Sequence, residues 1–253
     1  MTIEPVRFGA VDQELLGIMH APEDPSAAHG RPAFVLCKPF GTEAIRADLL
    51  YRALATRLVR EGCTVLGFDY HGSGDSPGDS AVTSLTTFVH DTESALAFLR
   101  ARAPASPLHV FGLALGASIA ARASLQASAR PAQLVLWEAV DNGNAYADKM
   151  CATHRADREQ WCKVPWATLK AELNEPEPAL PGVVLGFPVS ATFAAELRAL
   201  TSLPLDALRA AGVVVTSGHS ERPFAWMSNH EPAAGAGEPV PQDAVRAVLA
   251  TVR

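Results

Sequence analysis

Apolar positions recur along this chain at three different spacings, and each spacing predicts a different element. Residues Val6 to Ala21 alternate loosely, which predicts an antiparallel hairpin whose second arm is Leu15 to His20. The turn-rich APEDPSAAHGRP that follows predicts an exposed loop. Ala33 to Cys37 is then an unbroken apolar run, as expected of a strand covered on both faces, and it ends at Lys38-Pro39-Phe40-Gly41-Thr42. Between Arg46 and Glu61 the leucines at 50, 54 and 58 fall at helical period, and Gly62 supplies the stop. Cys63 to Tyr70 predicts a second buried strand, and Leu85 to Arg100 a second helix with Phe88, Ala95, Leu96 and Leu99 inward. A short strand from Leu108 runs into a helix beginning near Ala117, and Gln133 to Trp137 predicts the next strand.

Strands and helices alternating at this spacing imply βαβ units and a mostly parallel sheet with helices on both faces. Such sheets place ligands at the carboxyl ends of their strands. After Asp141-Asn142-Gly143 the pattern changes. Residues 144–207 are rich in Ala, Glu and Pro and lack strand alternation, which predicts a helical lid inserted over the strand ends. The core domain is then 1–143 and 208–253, with strands resuming at Gly212 to Thr216 and near Phe224 to Met227, and an amphipathic helix from Gln242 to Val252.

Composition narrows the partners. With 21 basic against 27 acidic residues the net charge is -6 and no long basic run occurs, which argues against nucleic acid and anionic membrane surfaces. No apolar run approaches the length of a membrane span. The first twenty residues carry Glu4, Arg7, Asp12 and Glu14 and no apolar h-region, so no secretory leader is expected. Cys37, Cys63, Cys151 and Cys162 have no metal-ligand spacing, and small buried thiols in a reduced cytoplasmic protein are the economical expectation, with no metal and no cofactor. A monomer and a homodimer both remain open.

The chemistry centres on LHVFGLALGA, residues 108–117. Gly112 and Gly116 flank Ala114 in a strand that turns directly into a helix, the frame of a nucleophile elbow. On its own this spacing better describes a close-packed strand-to-helix junction. Together with KPFG and FDYHGSGDS, in that order, it resembles the α/β-hydrolase family over nearly the whole chain. KPFGTEAIRADLL, VLWEAVDNG and LGFPVSATFAAEL are more narrowly similar to hydrolases associated with bacterial exosortase and exopolysaccharide systems.

That resemblance implies an α/β-hydrolase fold acting on a small-molecule acyl substrate, a carboxylic ester or thioester. It assigns the backbone N–H groups of Phe40 and Leu115 to an oxyanion hole, where each donor is worth roughly 3 kcal/mol in serine hydrolases. It offers His230 as base, with Glu221 or Asp141 as the acid that orients it. Only nine positions separate Glu221 from His230. His71 and His219 are expected near the strand ends, and for His71 a solvated loop residue is the better expectation. Trp161, Trp166, Phe187 and Phe193 either line an acyl pocket or form the core of the lid itself.

The departure is Ala114, because a methyl group cannot attack a carbonyl. Ser118, one helical turn on, is carried away from the apex and is no substitute. Three explanations follow: an exchanged serine or cysteine nucleophile, a natural site for non-covalent chemistry with His230 or a carboxylate as base, or a silent binding protein.

Overall fold

The computed structural model describes residues 1–11, 13–172, 180, 182–220 and 240–252. Seven strands form one sheet in the order β1-β2-β4-β3-β5-β6-β9. Its members are β1 (Thr2–Ala10), β2 (Gln13–Ala21), β3 (Ala33–Cys37), β4 (Thr64–Phe68), β5 (Leu108–Leu113), β6 (Gln133–Trp137) and β9 (Val214–Gly218). The hairpin β1–β2 is antiparallel and joins the sheet through β4, and every pairing from β4 to β9 is parallel.

The unbroken apolar strands are covered on both sides, as their composition requires. Along β3, Val35 and Cys37 join one core, which includes Phe88, Leu96 and Ile119, while Phe34 and Leu36 join another with Leu50, Leu54 and Val245. Successive side chains of a strand point to opposite faces, so the same alternation separates Val110 from Phe111 and Leu136 from Val135. The first face carries α2 (Leu85–Arg102) and α3 (Leu115–Gln126), and the second carries α1 (Thr42–Arg60) and α8 (Gln242–Leu249).

Helix α1 begins at Thr42, four residues before the apolar period at Arg46 becomes legible. Its first turn is buried through Thr42 and Glu43, and Gly41 caps it at φ 62° without any side-chain bond. The motif FDYHGSGDS forms a turn closed on itself. Ser76 Oγ donates to the Asp69 carbonyl at 2.6 Å and accepts from the Leu16 amide at 2.9 Å, tying the end of β4 to the hairpin. Asp69 accepts from the Asp75 amide and pairs with Lys38 Nζ at 2.7 Å, and its carboxylate fills the place a side chain on Gly74 would take.

Between β6 and β9 lie α4 (Gly143–Cys162), α5 (Trp166–Glu172), α6 (Ala191–Arg198) and α7 (Leu205–Ala210). The sequence predicts only helices here, but the structure adds a hairpin of β7 (Gly182–Val184) and β8 (Phe187–Val189). Each strand is three residues long, too short to show alternation, and the two-residue turn places Leu185 at φ 54° and Gly186 at φ 85°. Leucine gives no signal for a left-handed turn position. The strand expected near Phe224 to Met227 lies outside the described residues.

Candidate active site

The elbow has no room for larger residues at its flanks. A Cβ on Gly112 would lie 2.5 Å from the Ala117 Cα, and one on Gly116 would fall on the carbonyl oxygens of Lys38 and Cys37. This second contact presses the start of α3 against the turn after β3, the turn that carries Phe40. Ala114 sits between them at φ 49° and ψ -123°, a conformation that L side chains rarely adopt. Its amide donates to the Trp137 carbonyl at 2.9 Å, which locks the apex to the end of β6.

Two acidic residues follow the strands that flank β5, Glu43 after β3 and Glu138 after β6. Glu43, in the first turn of α1, is buried at 4% exposure, and Tyr146 Oη on α4 donates to its Oε2 at 2.6 Å. Burial is the main cause that pushes the Glu43 carboxyl up to about 7. The Tyr146 bond and the Lys149 charge oppose the rise, and the Glu138 charge adds to it. Glu138 directly follows Trp137 and takes φ 48°, so two non-glycine residues at adjacent strand ends occupy the left-handed half of backbone space. Such conformations persist where surrounding structure enforces them and cluster at functional sites. A cavity of about 10 Å³, on the scale of one water molecule, is lined by Phe40, Gly41, Glu43, Tyr146, Leu185 and Phe187, among others.

A larger cleft of about 440 Å³ lies against the flank of α1 beside β2 and β4, lined by Leu16, Ile18, Leu36 and Phe68. The strand-end site has the better claim to chemistry, because the strained apex follows β5 and the buried carboxyl lies in the helix that follows the neighbouring strand β3. Among the described residues no group of three or more His, Cys, Asp or Glu side chains could hold a metal ion.

This arrangement can be set against known proteins. The family model described as serine aminopeptidase, S33, matches residues 47–162. An esterase from Exiguobacterium antarcticum superposes with a TM-score of 0.57 at 17% identity, covering 98% of this chain and 99% of that one. A hypothetical protein from Pseudomonas aeruginosa gives 0.57 at 17% identity, over 87% of this chain and 78% of that one. The chain has the α/β-hydrolase fold. A thioesterase domain from the curacin biosynthetic pathway shares it, with a TM-score of 0.51 at 15% identity over 87% of this chain and 84% of that one. No curated protein matches the chain.

Within the α/β-hydrolase frame, the sequence-derived residues divide. Ala114 and Leu115 sit at the elbow, and the Phe40 turn reaches it through the contact of Gly116 with Lys38 and Cys37. The Phe40 ring packs at 4.7 Å from Phe193 and 6.1 Å from Phe187, so these aromatics form a cluster over the turn. Trp166 is buried against His154, 6.0 Å between rings, whereas Trp161 is 70% exposed on α4. Asp141 is exposed just before Asn142, which caps α4, and His219 is exposed after β9. The His71 amide donates to the buried Asp91 at 2.8 Å. Glu221 and His230 lie outside the described residues.

Sequence reasoning missed Glu43, Glu138 and Tyr146. The signal for Glu43 was its place three residues after Phe40, in a stretch whose helical period becomes visible only later.

Proposed function

We propose that this chain receives a carboxylic ester or thioester at the carboxyl ends of β3, β5 and β6, as a hydrolase or acyltransferase of the α/β-hydrolase fold with alanine in the nucleophile position. The observation that carries this reading is the backbone of Ala114. Alanine has no need of φ 49°, and the apex keeps that strained geometry between two glycines that admit no side chain. In this reading the N–H groups of Phe40 and Leu115 hold the developing oxyanion, His230 serves as base, and Glu221 or Asp141 orients it. The lid expectation becomes part of the same reading: the described helices between β6 and β9 cover the acyl site, and Phe187 and Phe193 close over Phe40.

The test compares the unaltered chain with Ala114→Ser on short and long p-nitrophenyl acyl esters, following acyl adducts by intact mass. Turnover with an adduct in the serine variant supports the reading. Silence of both proteins at every acyl length overturns it and favours a binding protein on the same scaffold.

A further inference from the structure

Three observations on the chain's own residues bear on the strand ends. Ala114 leaves covalent catalysis without a nucleophile. Within the same strand-end site Glu43 is buried, with Tyr146 Oη 2.6 Å from its Oε2. The cavity that Glu43 and Tyr146 line, together with Gly41 and Phe40, has the volume of about one water. Glu43 also stands three residues along the chain from the first expected oxyanion donor, and the Gly116 contact holds that turn against the second.

From this geometry we infer that Glu43 is the general base of a direct, non-covalent hydrolysis, activating water against the acyl carbon, and that Tyr146 is its positioning residue. The inference rests on the ester or thioester reading above and goes beyond it at one point: with alanine at the apex, the proton passes to Glu43 and not to His230. The Glu43 carboxylate takes one proton from water as the water oxygen bonds to the acyl carbon. The carbonyl electron pair moves to oxygen, facing the N–H groups of Phe40 and Leu115. Collapse breaks the C–O or C–S bond, and Glu43 returns the proton to the departing alkoxide or thiolate. The products are a carboxylic acid and an alcohol or thiol, and no further reactant is consumed.

Four groups act on Glu43, and they come from three places. Tyr146 and Lys149 face it from α4, Glu138 from the end of β6, and Tyr51 from its own helix. Its carboxyl, pushed up to about 7 mainly by burial, is matched to proton transfer near neutral pH. The Tyr146 bond favours the anion, so its removal raises the ionisation further.

The experiment measures kcat/KM against pH for p-nitrophenyl acetate and an acetyl thioester, using the unaltered chain, Glu43→Gln and Tyr146→Phe. The unaltered chain is expected to hydrolyse with a rate that rises to a plateau through one ionisation near pH 7. Glu43→Gln is expected to lose at least about 100-fold. Tyr146→Phe retains turnover, but its ionisation moves to higher pH. A ¹³C resonance from labelled glutamate, absent in Glu43→Gln, is expected to titrate with the rate and to follow the same upward move in Tyr146→Phe.

An unchanged rate in Glu43→Gln, or an unmoved profile in Tyr146→Phe, overturns the inference. Turnover by Ala114→Ser with none by the unaltered chain overturns it while leaving the ester reading in place. Silence of both overturns both.

Discussion

Ser118 on α3 donates its hydroxyl to the Val140 carbonyl at 2.6 Å, and both residues are buried. The serine four residues beyond the elbow apex is thereby engaged in joining α3 to the segment after β6. Removal of the hydroxyl leaves a buried acceptor without this donor, which costs about 1 to 2 kcal/mol. Ser118→Ala should show that loss in urea unfolding and leave ester turnover of the Ala114→Ser background unaltered. A fall in turnover without a fall in stability would instead make Ser118 a participant in the chemistry.

Ala114 bears a backbone cost that its methyl side chain does not justify. Backbone conformations of this sort cost of order 1 to 3 kcal/mol in residues other than glycine. Ala114→Gly should therefore gain about 1 kcal/mol, after the entropy that glycine forfeits on folding. Chemical denaturation of the two proteins side by side checks this. A loss of stability would mean that the apex is not strained and that the methyl group contributes packing instead.

Glu43 predicts how stability depends on pH. Its folded carboxyl ionises at about 7, above its ordinary value of 4.5, so between those limits the folded chain holds a proton that the unfolded chain has released. Stability should therefore fall as pH rises through that window, by about 3 kcal/mol in full. Asp91, raised to about 6 by burial, works in the same direction over a lower range. His109 opposes both. Burial lowers it to about 4, so its contribution is present above pH 6.5 and disappears as pH falls toward 4. The difference between the unaltered chain and Glu43→Gln isolates the Glu43 contribution: relative to the unaltered chain, the glutamine variant should gain stability steadily from pH 4.5 to 7. A parallel pair of curves would refute the raised ionisation.

The sequence made the elbow and the sheet legible for a common physical reason. Buried parallel strands must be apolar throughout, and close backbone contacts at Gly112 and Gly116 demand glycine, so both leave local marks. The β7–β8 hairpin left none, since its turn sets a leucine at φ 54° and its strands are three residues long. The Glu43–Tyr146 bond joins residues 103 positions apart, and no local pattern encodes a partner at that distance. Trp161 shows the converse. Its size suggested a pocket or a core, yet it lies 70% exposed, because an aromatic residue at a helical interval does not specify which side of the helix is covered. Asp141 likewise stands at a strand end in sequence but is exposed there.

The hairpin that opens the chain has one more effect. β1 is an outer strand of the sheet, nine residues long, and its free side is a potential template for strands of other molecules. Pro5 stands at its middle, paired in register with Ile18. Proline lies within a sheet only where the missing donor faces outward, so the exposed row of amides is interrupted at its centre. Glu4 and Arg7 flank the gap and are tied to Arg102 and Glu14. The margin of the sheet farthest from the strand-end chemistry is thus built to resist aggregation by strand addition.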